Sequence, residues 1–434
     1  MITLKKDSPI PSVDQTLEML RANNNMMPIY VDYDKIIASI YAMTRKINAL
    51  YDAFYELTGM NARGGNLKKF FKEYAAQKGF LSMFTLTAKG DVSVGAESIA
   101  GIMNSNIDEG YKLVVKIFTN INDFMKSRGT LIALLQNPMS DRVSCDMHRM
   151  LELRPEWAPQ NTGRVAMRKP ALQNLPRNLQ DIITVPRGYK LLHTDSGQVE
   201  PRITYSAFVV DEQIKALIRL YNDAYFGLLH YCTMPMADIN SGRTDFVKME
   251  ITDDMRENRQ SIKRNGNAVM YGSTANAEKD PIKKAMIERI GSHPSRLRWI
   301  SQIEDALNHG QKEFKTYFGT PINIYNSEKL TPGAEDRNEL IRLAINNPIQ
   351  GTAADLMRVS CCEAGRLIMT AKDSYMIAYV HDAGLFCISE DDWDDIGEKL
   401  KDIVAYQVDD WVPVEAEADV YELNLDGAYA KYKY

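Results

Sequence analysis

Two short apolar segments, each carrying an aspartate, constrain the fold of this 434-residue chain more than any other feature. The first, YKLLHTD (189–195), is typical of a buried strand and ends at Asp195. The second, MIAYVHDAGLFCI (376–388), predicts a hairpin of two strands with His381 and Asp382 at its polar tip. About 180 mostly helical residues separate the two segments.

The first 140 residues are predicted to be helical. Apolar residues at helical spacing indicate a long helix from about 32 to 57, and Gly59 follows it. A second helix carries three lysines along one side, and a third runs from about 108 to 127. Residues 1–24 are polar and interrupted by proline, which predicts a loosely attached lead-in segment.

Composition excludes several classes of protein. Hydrophobic residues make up 45% and charged residues 25%, which is typical of a globular protein and not of a disordered chain, a coiled coil or a collagen-like fibre. The sequence has neither a long apolar run nor a signal peptide, so we expect no membrane association and a cytoplasmic location. Five cysteines without metal-ligand spacing predict free thiols.

The distribution of charge leaves a nucleic-acid partner open. The chain has a net charge of −5, but residues 390–419 contain 12 acidic and 2 basic residues. The remainder holds 50 basic and 45 acidic residues and is therefore mildly basic. The acidic segment itself is interpreted as a solvated surface, with a docking surface as the alternative.

Asp195 and Asp382 predict a metal site if their strands are neighbours in one sheet. Hard Mg²⁺ ions prefer oxygen ligands, and a pair of them can hold the attacking and leaving oxygens of an in-line phosphoryl transfer. The alternative is that each aspartate only caps a turn, so the pair needs further support.

The segment RQSIKRNGNAVMYG (259–272) gives that support. Its residues Arg259, Lys263, Asn267 and Tyr271 are each four apart and share one face of a helix. Two cations followed by an aromatic ring suit a nucleoside triphosphate. The alternative is an ordinary solvated helix with basic residues.

Five segments, in order, resemble the A-family DNA polymerases of the bacterial polymerase I type and their phage relatives. They are TGR (162–164) with LQNLPR (172–177), DSGQVEPR (195–202), R-x3-K-x7-YG (259–272), NNPIQGTAAD (346–355) and VHD (380–382). This resemblance implies an α+β fold, the right-hand polymerase fold with an antiparallel-sheet palm, helical fingers and a helical thumb. The implied segments are a lead-in (1–24), thumb (25–140), palm (141–205 and 341–434) and fingers (206–340).

The resemblance also implies a function. The chain is expected to be a nucleotidyltransferase that adds deoxynucleotides from dNTPs to a primer 3′-OH by a two-metal mechanism. The expected cofactors are two Mg²⁺ ions, for which Mn²⁺ substitutes, and the expected partners are primer-template DNA and dNTPs. A 3′–5′ proofreading domain has no room before the thumb, so either a separate exonuclease supplies editing or there is none. A helicase and a processivity factor are the other candidate partners. Such a short polymerase suits a phage acting in its host's cytoplasm.

Individual roles follow from matching positions. Asp195, Asp382 and the backbone carbonyl of Ser196 are the implied metal ligands, and Lys263 is placed to protonate leaving pyrophosphate. Glu200 is implied as a gate that excludes a 2′-hydroxyl. The implied nucleotide-binding residues are Gln198, Glu200, Tyr225, Arg259, Lys263, Asn267 and Tyr271. The implied DNA-binding residues are Lys126, Arg164, Gln173, Asn174, Arg342, Asn346, Gln350 and His381.

Several departures from the family pattern keep two alternatives open. Asn267 replaces a bulky aromatic residue, Ala383 replaces an acid, and Tyr225 replaces a histidine. The run KRNGNAVMYGS (263–273) also resembles phage-type single-subunit RNA polymerases, although those lack the gate glutamate and the PIQGTAAD segment. The alternatives are an RNA-polymerase-like enzyme and a catalytically weak, DNA-binding partner in a replication complex.

Overall fold

The computed structural model describes residues 1–26, 28–84, 92–103, 105–136, 142–145, 148–270, 281–324, 337–423 and 429–433. The chain divides into two compact units. The larger consists of Met1–Ile29, Arg154–Gln173 and Val185–Tyr434, and the smaller of Tyr30–Leu153 and Asn174–Thr184. Within the ranges just given, no helix is both long enough and apolar enough to cross a membrane.

Helices dominate the described residues, and short strands lie between them. The α helices are α1 (Val13–Met26), α2 (Tyr33–Thr58), α3 (Leu67–Gln77), α4 (Ala96–Met103), α5 (Glu109–Leu135), α6 (Val199–Ile203), α7 (Glu212–Tyr221), α8 (Ala224–Thr233), α9 (Met236–Ser241), α10 (Asp253–Met270), α11 (Pro281–Met286), α12 (Pro294–Asn308), α13 (Arg337–Ile368) and α14 (Glu398–Lys401). The strands are β1 (Ile2–Leu4), β2 (Ile29–Asp32), β3 (Arg142–Cys145), β4 (His148–Leu153), β5 (Glu156–Pro159), β6 (Val165–Arg168), β7 (Ile183–Thr184), β8 (Tyr189–Ser196), β9 (Glu313–Lys315), β10 (Pro321–Asn323), β11 (Tyr375–Val380), β12 (Ala383–Ser389), β13 (Tyr406–Val408), β14 (Ala416–Leu423) and β15 (Tyr429–Lys433).

The smaller unit confirms the predicted amino-terminal helices. Asp32 caps the first turn of α2 by accepting from the backbone of Lys35, and Gly59 ends the helix in a left-handed conformation with φ of 70°. Helices α2 and α5 pack along each other. In the core beside them the rings of Phe71 and Phe118 stack with centroids 4.0 Å apart. A sheet with the strand order β3-β4-β2-β7 completes this unit.

The larger unit is built on a five-stranded sheet with the order β11-β12-β8-β14-β15. Every pairing in this sheet is antiparallel, which agrees with the α+β fold and sheet type expected from the sequence. The central strand β8 is the predicted strand that ends in Asp195, and β12 is the second strand of the predicted hairpin. The long helix α13 and the helix α6 contribute to the core beside this sheet.

A second core in the same unit positions the helix that carries Arg259. Helices α7, α8, α10 and α11 surround a cluster of buried apolar side chains that includes Leu217, Leu228 and Ile262. Ile262 is completely buried and precedes Lys263, which is exposed. The burial of one face of α10 therefore fixes which of its side chains point away from the core.

The first 24 residues do not form a loose lead-in. Strand β1 pairs with β13 in parallel, and α1 packs against α13 and β11. Leu17 and Leu20 of α1 are almost completely buried. Two apolar residues three apart on one face are enough to anchor an otherwise polar helix, so the polar composition of this segment was misleading.

Helix α13 contains a buried ion pair between Asp355 and Arg358. Asp355 has no exposed side-chain area, and it accepts hydrogen bonds from the hydroxyls of Thr316 and Thr320. Arg358 also donates to the carbonyl oxygens of Pro11 (2.8 Å) and Gly163 (3.1 Å). The pair therefore joins three chain segments that are far apart in sequence.

Candidate active site

The sheet brings the two predicted aspartates next to each other. In the β8–β12 pairing Ala383 lies opposite Asp195, so Asp382 is one residue beyond that position. The backbone N–H of Ser196 donates to the carbonyl oxygen of Asp382 over 2.8 Å. His381 begins the two-residue loop with φ of 57°, a left-handed conformation that is uncommon outside glycine and recurs at functional sites.

The surroundings of Asp382 favour the presence of a cation. Burial raises the pKa of its carboxyl above the ordinary value, and the negative charge of Glu200 acts in the same direction. The positive charges of Arg164 and His381 act against this rise. A further positive charge at this position would offset the cost of keeping the carboxylate ionised.

Arg164 and Glu200 form an ion pair in which Nη2 lies 2.9 Å from Oε1. Both side chains are largely buried, with 17% and 22% of their areas exposed. The glycine of the TGR segment allows this arrangement, because Gly163 has φ of 78° and a Cβ there would lie 2.7 Å from Nη1 of Arg358. Two residues expected to contact different parts of a substrate are thus in direct contact with each other.

The ring of Tyr225 lies near two cations of α10. The guanidinium carbon of Arg259 is 5.2 Å from the ring centroid of Tyr225, and Nζ of Lys263 is 6.0 Å from it. Burial raises the pKa of the Tyr225 hydroxyl, as do the negative charges of Glu200 and Asp382, so the hydroxyl stays protonated at neutral pH. Tyr225 therefore connects the cations of α10 with the carboxylates at the sheet.

Arg259 is held by a carboxylate that the sequence did not single out. Its guanidinium forms an ion pair with Asp223, with Nη2 2.5 Å from Oδ2. Gln198 donates from Nε2 to the same carboxylate over 2.8 Å, and its Oε1 accepts from the backbone of Ala224. Asp223 precedes α8 and caps it, so its sequence signal was that of an ordinary helix N-cap.

Three of the expected DNA contacts share one face of α13. Arg342, Asn346 and Gln350 are each four residues apart, and Arg342 is exposed and pairs with Glu339. In the described part of the chain, Oδ1 of Asn346 is buried and has no hydrogen-bond partner. The amide of Asn346 thus has acceptor capacity available for a ligand.

The other expected DNA contacts are more dispersed. Arg164 and His381 line a common small cavity with Tyr379. Gln173 accepts a hydrogen bond from the backbone of Met167 (2.7 Å), which is a local turn contact. Lys126 is exposed on α5 of the smaller unit.

Three of the sequence predictions fall on positions whose side chains lie outside the described structure. Asn174 ends a short 3₁₀ turn (Leu172–Asn174), Asn267 lies on α10, and neither side chain is described. Tyr271 lies outside the described residues altogether.

The oxygen ligands at the sheet fit a divalent cation that is bound partly by the protein and partly by a substrate. Over the described ranges, no group of three or more His, Cys, Asp or Glu side chains is arranged to hold a metal ion. Two carboxylates are nevertheless what Mg²⁺ commonly takes from a protein, with phosphate oxygens and water supplying the rest. Asp195 on β8 and Asp382, in the loop one residue before β12, supply oxygen ligands of the required kind.

Comparison with known proteins identifies the fold and the family. Residues 34–422 match the model for DNA polymerase family A. DNA polymerase I of Pseudomonas aeruginosa is 24% identical over 402 residues, which cover 88% of this chain and 40% of that protein. The thermostable DNA polymerase I of Thermus filiformis is 26% identical over 277 residues, which cover 60% of this chain and 30% of that protein. The chain thus spans less than half the length of these curated relatives.

A solved structure extends the comparison to the fold. The polymerase domain of Pol1 from M. smegmatis, in complex with a DNA primer-template and dNTP, matches with a TM-score of 0.70 and 20% identity. The match covers 94% of this chain and 68% of that one. The fold is therefore the right-hand fold of a polymerase domain. The chain belongs to DNA polymerase family A, which confirms the resemblance drawn from its five motifs.

Proposed function

We propose that the chain is a DNA-directed DNA polymerase that adds deoxynucleotides to a primer 3′-OH at Asp195 and Asp382. The observation that supports this proposal is the register of β8 and β12, in which Asp195 pairs with Ala383, the residue that follows Asp382. Membership of DNA polymerase family A and the primer-template and dNTP bound in the solved relative support the choice of substrates.

Asp195, Asp382 and the Ser196 carbonyl would hold Mg²⁺, with Mn²⁺ as a substitute. Bound there, two such ions would lower the pKa of the primer 3′-hydroxyl and offset charge on the phosphates. The rise in the pKa of Asp382 on burial makes the carboxyl dependent on neighbouring positive charge. The protein would supply only a few oxygen ligands and not a complete coordination shell, so cations that prefer oxygen ligands are expected to bind.

Lys263 is the candidate proton donor to departing pyrophosphate. It is exposed on α10, and its ammonium and the guanidinium of Arg259 both lie near the ring of Tyr225. A lysine ammonium carries three donors on a flexible stem, so it can follow a phosphate oxygen as charge develops. Gln198, Tyr225, Asn267 and Tyr271 are proposed to line the same nucleotide site.

The domain roles follow from this assignment. The five-stranded sheet would be the palm, the helices α7 to α12 the fingers, and the helices of the smaller unit the thumb, where Lys126 would contact the DNA backbone. Arg342, Asn346 and Gln350 on α13, together with Arg164 and His381, would contact the duplex. Gln173 and Asn174 would lie near the primer. A 3′–5′ exonuclease activity is assigned to none of these parts.

Primer extension with separate pools of deoxy- and ribonucleotides tests the proposed function. In Mg²⁺, the purified chain is expected to extend a primer on a DNA template with dNTPs and to stop when only rNTPs are present. Efficient extension with rNTPs would instead favour the RNA-polymerase-like alternative. Tight binding of primer-template without extension in either Mg²⁺ or Mn²⁺ would favour a DNA-binding structural partner.

Glu200→Ala is expected to raise the efficiency of rNTP incorporation relative to dNTP incorporation by about 100-fold, because a bulky side chain would no longer exclude the 2′-hydroxyl. Glu200→Gln is the matched control, since it keeps the volume and removes the charge paired with Arg164. Measured kcat/KM ratios should shift in the alanine variant and stay near wild type in the glutamine variant. Unchanged sugar selectivity in Glu200→Ala would show that another residue is the gate.

A further inference from the structure

Arg259, which is expected to bind phosphate, is already paired with the carboxylate of Asp223. Nε of Arg259 lies 3.2 Å from Oδ1 and 3.1 Å from Oδ2, and Nη2 lies 2.5 Å from Oδ2. Only 18% of the Arg259 side chain and 17% of the Asp223 side chain are exposed. Asp223 therefore holds the Nε–Nη2 edge of the guanidinium and offsets its charge, so a second anion cannot take that two-pronged edge while the pair is intact.

Asp223 is fixed from two further directions. Its Oδ1 accepts the backbone N–H of Phe226 over 2.8 Å, and its Oδ2 accepts from Nε2 of Gln198 over 2.8 Å. Burial alone would raise the pKa of this carboxyl, but the hydrogen bonds from Arg259, Phe226 and Gln198 outweigh burial and hold the pKa below its ordinary value. Asp223 is therefore a charged, immobilised anion at neutral pH.

A phosphate group and a carboxylate present the same geometry to an arginine fork. The charge difference favours the phosphate, since a triphosphate carries several negative charges and both Arg259 and Lys263 lie within about 6 Å of the Tyr225 ring. A carboxylate on Arg259 therefore acts as a competitor that a triphosphate can overcome more readily than an anion of lower charge can.

We propose that Asp223 is the resident anion of the nucleotide-free site and that an incoming triphosphate must displace it from Arg259. This inference rests on the proposed function. It makes Asp223 a residue that weakens the binding of every polyphosphate that uses Arg259, so that only strongly bound anions displace it. If the pair instead had a purely structural role, removing the carboxylate would leave Arg259 misplaced and would weaken polyphosphate binding.

Asp223→Asn separates the two roles. Asparagine caps a helix about as well as aspartate does, so α8 is expected to remain capped while the charge on Arg259 is released. The matched control is Asp211→Asn. Asp211 caps the neighbouring helix α7 through Ile214, has 18% of its side chain exposed, and pairs with His293 instead of an arginine of α10.

The measurement is the affinity for inorganic tripolyphosphate and for pyrophosphate, by calorimetry on the full chain without DNA or metal. Asp223→Asn is expected to bind tripolyphosphate about tenfold more tightly than wild type, since one competing charge is removed from a partly buried site. A gain is expected for pyrophosphate as well, and Arg259→Ala in the same background should remove both gains. Asp211→Asn should leave both affinities unchanged.

Steady-state kinetics give the second readout, with a lower KM for dNTPs and little change in kcat in Asp223→Asn. Unchanged or weaker tripolyphosphate binding in a folded Asp223→Asn variant would overturn the proposal. Asp223→Ser, which retains a cap, replaces it if the asparagine variant does not fold. If wild type binds tripolyphosphate but extends no primer, the proposed function fails while the competition at Arg259 is still measured.

Discussion

Asp382→Asn is expected to slow primer extension by about 1,000-fold or more, because metal-ion catalysis supplies several kcal/mol and each 1.4 kcal/mol is about tenfold in rate. The asparagine keeps the size of the side chain and the hairpin loop that holds it, but it removes the negative charge that a divalent cation requires. Affinity for primer-template is expected to stay close to wild type, since the expected DNA contacts lie mainly on other residues. Single-turnover extension and DNA binding, measured on the same preparations, test both statements.

Asp394→Asn provides the control for the change of charge. Asp394 is an exposed acidic residue just beyond β12, and it belongs to the same compact unit. Its amide variant should extend primers at the wild-type rate. Extension by Asp382→Asn within a few-fold of that control would show that the chemistry takes place elsewhere.

Arg358→Ala is expected to destabilise the chain by about 3–5 kcal/mol, because it leaves the carboxylate of Asp355 buried without its charge partner. Burial already raises the pKa of Asp355, and Arg358 is the main influence that opposes the rise. Without the arginine, the folded-state pKa should rise further above the unfolded value. The carboxyl can then take up a proton as the pH falls, so the loss of stability should be smaller at pH 5 than at pH 8.

Arg366→Ala is the matched control for this measurement. Arg366 pairs with Glu363 on the same helix and at the same three-residue spacing, but 63% and 45% of the two side chains are exposed. Such a surface pair contributes about 0–1 kcal/mol. Denaturant unfolding should therefore separate the two variants clearly, and an equal loss in both would show that burial of Asp355 does not govern its contribution.

The sequence predicted the elements that have strong local signals. Strand β8 and the hairpin of β11 and β12 were visible because apolar runs ending in polar residues are typical of strands, and their pairing places Asp195 beside Asp382 as expected. The long helix α2 was visible from its apolar spacing. The same rules failed for residues 1–24, where burial depends on a few side chains of α1 and on pairing with a strand about 400 residues away.

The candidate site shows the same limit. Motif positions located Glu200, Arg164 and Arg259, but they did not show that Glu200 pairs with Arg164 or that Arg259 pairs with Asp223. Each of these pairs joins residues 36 positions apart, so only the tertiary fold brings them together. In the sequence Asp223 resembled an ordinary N-cap, because capping α8 involves only neighbouring residues, whereas pairing with Arg259 depends on the tertiary fold.

Single-nucleotide incorporation opposite each of the four template bases tests the central claim most directly. Wild type and Asp195→Asn would each be given one dNTP at a time, with Mg²⁺ and a primer-template whose next base is varied. We expect wild type to extend the primer by one residue only with the complementary dNTP, and we expect the variant to extend it with none. Extension that ignores the template base, or that persists in Asp195→Asn, would contradict a template-directed polymerase site at Asp195 and Asp382.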